Sequence, residues 1–320
     1  MTTPEDRDVC MRPSPSAPEI TVIIVSYNTC SLTIKAVETL LQSSPDLPMR
    51  IVVFDNASQD GSAQALSQSF PSVEVIANQE NIGFAAANNR VAQTVTTPFI
   101  CLLNPDTETH PNAIANLLAF AKMHPNAGIV GGRTVFPDGS LNPASAWRKI
   151  TPWSLLCQIL GLHRMFPQSN LFNSEAIGGW KRDSIREVDI VVGCFLLTST
   201  ELWKRLGGFD TRYFMYGEDA DLCLRARALG FRPMITPDAQ IMHLVGASTK
   251  KRADKVCAVM RAKATLIRDH WPSWLVPLGI AQLWFWGLTR RLGAFVAKTE
   301  EDRLRLTDIW RGRRTWLSGY

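Results

Sequence analysis

The sequence contains little that would cross-link the chain or bind a structural metal. Its seven cysteines are an odd, scattered set without a Cys-x-x-Cys pair, which excludes a zinc knuckle and a disulfide framework. Cys101 and Cys194 lie inside apolar runs and are expected to be buried as small hydrophobic residues. This pattern is typical of a protein from a reducing, cytosolic compartment.

The sequence also lacks internal repeats, low-complexity segments and an apolar stretch near its start. Residues 1–19 are polar and proline-rich, so we predict a flexible tail there rather than a signal peptide. With 46% hydrophobic and 20% charged residues, the rest has the composition of a globular protein.

Charge is unevenly divided along the chain. From Lys250 onward there are 15 Lys/Arg against 6 Asp/Glu, while the preceding part is mildly acidic. We therefore separate a basic, Trp-rich helical region, residues 251–320, from a main domain, residues 20–250. No nucleic-acid recognition motif accompanies the basic charge, so nucleic acid is not an expected partner.

Residues 271–288 form the most apolar part of this basic region, but Pro272 and Pro277 interrupt it. The segment is too short and broken for a convincing membrane span. Tryptophans beside Arg290 and Arg291 favour contact with an anionic membrane surface. The alternatives are a helical hairpin packed on the main domain and a dimer interface.

Short apolar runs alternate with segments of helical periodicity through the first 103 residues. This alternation predicts an α/β fold with a mostly parallel, Rossmann-like sheet flanked by helices. A serine cap is expected for the first helix. Strands are predicted at residues 20–25, 51–54, 73–77, 99–103, 188–198, 232–236 and 241–243, and helices at 31–43, 62–70 and 88–95.

Polar residues follow three of these strands. Ser26 and Asn28 follow the first strand, Asp55 the second, and Asn104 and Asp106 the strand at 99–103. Ligands of parallel α/β sheets bind beyond the carboxyl ends of the strands. We therefore expect a binding site at this edge.

The densest group of carboxylates is Glu218, Asp219 and Asp221, which lies at the predicted start of a helix. A carboxylate held there among aromatic residues is a candidate general base. The alternative is an acidic helix cap, which is common for structural reasons alone.

Four further positions have both a functional and a structural interpretation. Asp106 can bind Mg²⁺ or Mn²⁺, or can belong to an ordinary Asn-Pro-Asp turn. His243 can be a metal ligand or a core residue. Asp55 can accept a nucleobase N–H or cap the next helix, and Gly83, after Asn81, marks a ligand approach or a plain helix entry.

Seven segments in order resemble glycosyltransferase family two, with the GT-A fold, and specifically its bacterial rhamnosyltransferase-like branch. The resemblance covers residues 20–250. The segments are Val25-Ser26-Tyr27-Asn28, Asp55 to Ser62, Asn78 to Phe84, Leu103-Asn104-Pro105-Asp106, Gly207-Gly208-Phe209-Asp210, Met215 to Leu222 and His243 to Ser248.

The resemblance implies a role for each matching position. Asp55 corresponds to the carboxylate that binds the pyrimidine N3–H of the donor. Asn104-Pro105-Asp106 is similar to the D-x-D element, with Asn104 in place of its first Asp. Asp106 and His243 are then the implied ligands of a divalent metal, Mg²⁺ or Mn²⁺.

Asp219 corresponds to the catalytic base, and Glu218 would orient the acceptor or the helix. The remaining matches are implied to bind the donor. The donor-binding set is then Ser26, Asn28, Asp55, Asn81, Gly83 and Asn104.

The resulting hypothesis is an inverting glycosyltransferase on the inner face of the bacterial cytoplasmic membrane. It would move a sugar, for which the resemblance suggests rhamnose, from a dTDP- or UDP-sugar to a surface-glycan or polyprenyl-linked acceptor. One alternative is a sugar nucleotidyltransferase, although no Gly- and Lys/Arg-rich loop follows the first strand. The other is a catalytically inactive nucleotide-sugar-binding protein.

Overall fold

A computed structural model describes residues 17–244 and 252–320. Three sequence predictions lie outside these residues. They are the part of the flexible tail that precedes residue 17, the boundary at residue 250, and Val245 to Ser248 of the last motif.

A nine-stranded sheet forms the centre of the molecule, and a separate pair of strands, β7 and β9, lies apart from it. The inner strands are runs of Val, Ile and Leu, as expected for strands covered on both faces. The strands are β1 (Ile20–Ser26), β2 (Met49–Asp55), β3 (Glu74–Ala77), β4 (Phe99–Leu103), β5 (Thr107–Thr109), β6 (Ile129–Val135), β7 (Ala146–Trp147), β8 (Arg186–Glu187), β9 (Ile190–Val191), β10 (Phe195–Ser199) and β11 (Met234–His243).

The strand order in the large sheet is β3-β2-β1-β4-β10-β6-β11-β5, and β8 pairs with β11. The first four strands in this order are parallel, which confirms the predicted arrangement. β10 runs antiparallel between β4 and β6, while β6 and β11 are parallel to each other. The carboxyl ends of β1, β2 and β4 therefore meet at one edge.

Helices cover both faces of the sheet and continue into a C-terminal bundle. Short 3₁₀ helices occur at Pro125–Ala127, Ser273–Leu275 and Ala294–Val296. The α-helices are α1 (Cys30–Ser43), α2 (Ser62–Ser69), α3 (Gly83–Ala92), α4 (Ala113–Met123), α5 (Pro152–Ile159), α6 (Leu162–Met165), α7 (Thr200–Leu206), α8 (Glu218–Ala228), α9 (Arg252–His270), α10 (Val276–Gly293), α11 (Glu300–Arg311) and α12 (Arg313–Ser318).

Alternate residues of β1 belong to two separate hydrophobic cores. Ile24 packs in the core that contains Leu40 of α1, and Ile23 packs in the core that contains Leu222 of α8. Successive side chains of a strand point to opposite faces, so one strand contributes to both layers. The core that contains Ile23 and Leu222 holds α8 against the sheet.

The C-terminal helices share a third core with the main domain. Tyr213 and Ala220 from the acidic segment are buried together with Ile267 of α9, Trp286 of α10 and Trp316 of α12. Packing of this region on the main domain, one of the predicted alternatives, is therefore observed. Among the residues that the structure describes, no helix is long and apolar enough to cross a membrane.

Two helix starts differ from the prediction. α1 begins at Cys30, so the predicted serine cap is wrong. α3 begins at Gly83, five residues before the predicted start. The amide N–H groups of Ile82 and Gly83 are bound by the side-chain oxygens of Asn56 and Asn81, respectively. Asn56 lies far from α3 in sequence, so local periodicity does not reveal its contribution to the start of the helix.

The strand predicted over residues 188–198 is also wrong, because it consists of β9 and β10 with a break between them. Gly193 lies in the break. Its N–H donates to Asp219 at the start of α8 instead of to a neighbouring strand. The break between β9 and β10 therefore allows a hydrogen bond to the acidic segment.

Gly217, immediately before α8, needs the absence of a side chain for two reasons. Its φ is +95°, and a Cβ atom there would lie 2.7 Å from the Cβ of Ala262 and 2.9 Å from the ring of Tyr213. Gly230, at the other end of α8, has nearly the same φ, +94°, but no atom within 4 Å of the Cβ position.

Comparing alanine variants at these two glycines distinguishes the energetic cost of backbone strain from that of steric crowding. We expect Gly230→Ala to cost about 1 kcal/mol of unfolding free energy, the usual strain of a left-handed residue. Gly217→Ala should cost roughly 2–4 kcal/mol, because α9 must also move away. Urea unfolding of both variants measures the difference, and equal losses would show that the α8–α9 contact is not tightly packed.

Candidate active site

A cavity of about 520 Å³ opens beyond the carboxyl ends of β1, β2 and β4. The start of α8 and one face of α9 form its other walls. Six predicted site residues line it, and Ser26, Asn28, Asp55 and Gly83 lie outside the lining. The six are Asn81, Asn104, Asp106, Glu218, Asp219 and His243.

Asp55 ends β2 and is only 3% exposed. Its Oδ2 atom accepts the N–H of Ser58 at 3.1 Å. Its Oδ1 atom is buried and has no hydrogen-bond partner among the described residues. An unsatisfied buried acceptor is energetically unfavourable, so Oδ1 is an atom that a ligand N–H would satisfy.

Asn56, beside it, lines the cavity and was not selected from the sequence. Its amide nitrogen donates to Oδ1 of Asn81 at 2.9 Å, and its own oxygen accepts the N–H of Ile82 at 2.9 Å. Asn56 therefore positions the loop before α3. Its place at a strand end, next to Asp55, was the only signal in the sequence.

Ser26 and Asn28 stabilise the loop after β1. The Ser26 hydroxyl bonds to the hydroxyls of Thr29 and Thr33 at 3.1 and 2.9 Å. Asn28 has a φ of 52°, and its side-chain oxygen accepts the N–H of Gln59 at 2.8 Å. These contacts tie the first loop to the second loop, on which Asp55 lies.

Gly83 brings α3 against the acidic segment. Its φ is +83°, and a Cβ atom there would lie 2.6 Å from the carbonyl oxygen of Phe214. The N–H of Phe84 donates to the same oxygen at 2.9 Å. This position connects the loop of Asn81 with the segment that carries the carboxylates.

Asp106 and His243 meet in one corner of the cavity. Both are buried, and Oδ1 of Asp106 lies 3.2 Å from Nε2 of His243. Antiparallel pairing of β5 with β11 sets His243 opposite Thr107. Burial lowers the pKa of the imidazole, whereas Cys194 and Asp106 raise it, and the net result is a raised pKa. Asn104, in the same corner, donates its N–H to the carbonyl of Cys194 at 3.0 Å.

This corner fits a divalent cation as a partial ligand set. The Nδ1 atom of His243 is buried without a hydrogen-bond partner in the described part of the chain. Because a metal binds only the neutral ring, a cation in this corner would displace the proton that the raised pKa retains there. The same residues contain no cluster of three or more His, Cys, Asp or Glu that would hold a metal alone. Mg²⁺ and similar ions take one or two protein ligands when substrate phosphates complete the shell.

Glu218 and Asp219 begin α8, as predicted, but their environments differ. Asp219 faces the cavity and accepts two backbone N–H groups, from Gly193 at 3.0 Å and from Ala220 at 2.7 Å. Glu218 is 5% exposed, and its Oε2 atom has no hydrogen-bond partner among residues 17–244 and 252–320.

The two carboxyls differ in what their surroundings do to their pKa. Burial raises the pKa of both, and the charge of Asp219 raises the pKa of Glu218 further. The two backbone donors act in the opposite direction on the pKa of Asp219. Asp219 is thus the carboxyl whose charged form the protein stabilises, and Glu218 is the one that retains a proton more readily.

Asp221, the third carboxylate, has a structural role. Its Oδ2 atom accepts from Arg225 at 2.7 Å and its Oδ1 atom lies 2.8 Å from Nε2 of His270. The second contact joins α8 to the end of α9. Its side chain is 4% exposed and does not line the cavity.

The chain matches the family described as Glycosyl transferase family 2 over residues 21–189, more than half its length, and therefore belongs to that family. An N-acetylglucosaminyl-diphospho-decaprenol L-rhamnosyltransferase of Mycobacterium tuberculosis is 28% identical over 247 residues, 73% of this chain and 79% of the relative. The O-antigen biosynthesis protein RfbC of Myxococcus xanthus is 24% identical over 83% of this chain and 20% of its own length.

The fold is also that of solved glycosyltransferases. The mannosyltransferase PcManGT of Pyrobaculum calidifontis, in complex with GDP-Man and Mn²⁺, superposes with a TM-score of 0.56 at 19% identity. The match covers 96% of this chain and 85% of that one. The protein is a rhamnosyltransferase-like glycosyltransferase with the GT-A fold, and the family match favours glycosyl transfer over nucleotidyl transfer.

The protonation of the acidic pair predicts a pH profile. A base with a raised pKa loses activity on the acid side as pH falls through that pKa. The acid limb of kcat should therefore lie above about 3.9, the ordinary Asp value.

Glu218→Gln should retain kcat within about tenfold, because an amide replaces a neutral acid of the same size. A Glu218→Gln variant as inactive as Asp219→Asn would contradict the assignment.

Proposed function

We propose that the enzyme is an inverting transferase that moves a sugar from a nucleotide-sugar donor to a surface-glycan or polyprenyl-linked acceptor. The observation that carries the proposal is Asp219, whose carboxyl group is oriented by two backbone N–H groups, in one cavity with Asp106 and His243. A single in-line displacement needs one base on one side and stabilisation of the leaving group on the other.

In this mechanism Asp219 accepts the proton of the acceptor hydroxyl while that oxygen attacks the anomeric carbon. The new C–O bond forms as the bond from that carbon to the diphosphate oxygen breaks, and the nucleoside diphosphate leaves with the electron pair. The N–H groups of Gly193 and Ala220 hold the carboxylate in place. Glu218, being protonated, adds no negative charge beside the leaving group.

Asp106 and His243 are the proposed metal ligands, with Asn104 as their polar neighbour. A Mg²⁺ or Mn²⁺ ion held there would stabilise the negative charge of the leaving diphosphate. The Mn²⁺ in the complex of PcManGT supports metal use. Because Asn104 occupies the position of the first Asp of the D-x-D element, Asp106 alone would contribute a negative charge to the proposed metal site.

Donor recognition is assigned to the three loops beyond β1, β2 and β4. Asp55 would accept the N3–H of a uracil or thymine through its unpartnered Oδ1 atom, which favours a UDP- or dTDP-sugar. The other proposed donor-binding residues shape or line the same edge. They are Ser26, Asn28, Asn81, Gly83 and Asn104.

The rhamnosyltransferase relative supports rhamnose as the sugar and a polyprenyl diphosphate as the carrier of the acceptor. Such an acceptor would place the enzyme at the inner face of the cytoplasmic membrane. The alternative of a catalytically inactive binding protein would require a missing catalytic group, whereas Asp106, Asp219 and His243 are all in place.

Membrane contact is proposed through an apolar stripe on α10. Leu278, Phe285 and Leu292 are spaced by seven residues and are 46%, 52% and 57% exposed. Residues on the other side of the helix, including Leu283 and Trp286, are buried. Arg290 lies on the buried side of α10, 4.7 Å from the ring centre of Trp286, so the stripe itself is apolar.

The first test is nucleotide release from a panel of dTDP-, UDP- and GDP-sugars with acceptor lipid, with and without Mn²⁺ or Mg²⁺. We expect metal-dependent release from one donor. Asp219→Asn should lower kcat by about 10²- to 10⁴-fold, the usual contribution of a general base. Donor affinity, measured by calorimetry, should stay unchanged; loss of binding in this variant would instead indicate a structural role.

The membrane proposal is tested by co-sedimentation with phosphatidylglycerol vesicles. Replacing both Phe285 and Leu292 with Ser should weaken binding by roughly 100-fold, since each buried apolar side chain contributes about 1.5–3 kcal/mol. Leu304→Ser, on exposed surface of α11 away from the stripe, is the control. Equal binding of all three proteins would exclude the stripe as the contact surface.

A further inference from the structure

The cavity wall formed by α9 and the segment after β7 combines apolar side chains with three cations. The cations are Arg148, Lys255 and Lys263. The apolar members are Trp147, Ile150, Val259 and Leu266. The corner of Asp106 and His243 is built from different elements, β5 and β11.

Only one of the three cations has a carboxylate partner among the described residues. Lys263 binds Oε1 of Glu175 at 2.6 Å, and both side chains are largely buried. Arg148 and Lys255 form no ion pair within residues 17–244 and 252–320, although both are partly buried. Cations on an apolar wall without a counterion are unfavourable, so this wall favours an anionic ligand.

Both unpaired cations line the same cavity as Asp219. Trp147, directly before Arg148, pairs with Ile190 of β9, and the chain then leads to Gly193, which binds Asp219. This pairing sets the strand before Arg148 beside the strand that leads to Gly193.

Lys255 reaches the cavity from α9. Its Nζ atom lies 5.7 Å from the ring centre of Tyr216, two residues before Glu218. Ala262, two turns along α9, is held against Gly217 by the close approach described above. Arg148 and Lys255 therefore face one cavity from two different elements.

We propose that Arg148 and Lys255 bind the diphosphate of a lipid-linked acceptor, and that the apolar residues beside them take its first isoprenoid units. This inference rests on the proposed transfer to such an acceptor. The donor diphosphate belongs at the Asp106–His243 corner, so the two phosphate sites lie on different walls. Asp219, between them, would meet the hydroxyl of the sugar that the lipid carries.

The probe is farnesyl diphosphate, titrated by calorimetry in EDTA so that binding cannot proceed through a metal ion. The proteins are the wild type, Arg148→Gln, Lys255→Gln and the double variant. Lys149→Gln is the matched control, because Lys149 is exposed, adjacent to Arg148 and outside the cavity lining. Farnesol and inorganic diphosphate test the two halves of the ligand separately.

We expect each single variant to bind farnesyl diphosphate at least about tenfold more weakly, as for the loss of one charged hydrogen bond. The double variant should lose more, and Lys149→Gln should match the wild type. Farnesol and inorganic diphosphate should both bind more weakly than farnesyl diphosphate. Unchanged binding in the double variant, or no binding to the wild type, would overturn the proposal.

A second measurement separates this proposal from that of glycosyl transfer. Affinity for the nucleoside diphosphate with Mn²⁺ should be the same in the double variant and the wild type, since the donor uses the other wall. A parallel loss of nucleotide affinity would show that Arg148 and Lys255 belong to the donor site. The proposed transfer itself depends on Asp219, so its failure would appear in the nucleotide-release assay and not in this titration.

Discussion

The hydrogen bond from the N–H of Gly193 to Asp219 is the interaction on which the site depends. It exists only because the chain crosses from the β7–β9 pair to the large sheet between β9 and β10, which frees a backbone donor at the start of α8. Together with the N–H of Ala220, it stabilises the charged form of one carboxyl beside a buried one whose pKa is raised further. Without this asymmetry, two adjacent buried carboxyls would share one charge, and neither would be a well-defined base.

The segment that carries the base is held from two sides. On one side Gly83 brings α3 against the carbonyl of Phe214. On the other, α9 packs on Gly217, and the hydroxyl of Tyr320 donates to the carbonyl of Met215 at 3.1 Å. The C-terminal helices are thus part of the structure that positions the chemistry. Support from both sides limits displacement of the base, and small displacements of a catalytic group reduce the rate strongly.

The parallel half of the sheet could be predicted from the sequence, because the β-branched runs and the polar residues after them are local patterns. A helix starting near Glu218 and Asp219 also followed from the local pattern after Asp221, and the meeting of Asn104, Asp106 and His243 followed from a strand end and the family resemblance. The early start of α3 could not be predicted, because Asn56 acts on it from another strand. Nor could the role of Gly193, although a glycine within an apolar run often marks a bulge or a close backbone approach. Arg148 and Lys255 meet the cavity only through the tertiary packing of β7 and α9.

The division of the cavity walls bears on how enzymes of this kind diversify. The strand ends proposed to face the donor belong to the sheet core, where each loop is tied to the next by Asn28, Asn56 and Asn81. The opposite wall comes from α9 and a short strand pair, and α9 also packs on Gly217 beside the base. Only positions of that wall that face the cavity, such as Val259, can therefore change without moving the base. A lineage that acquires a new acceptor while retaining its donor is then expected to vary single cavity-facing positions of α9 and to keep the buried side of the helix.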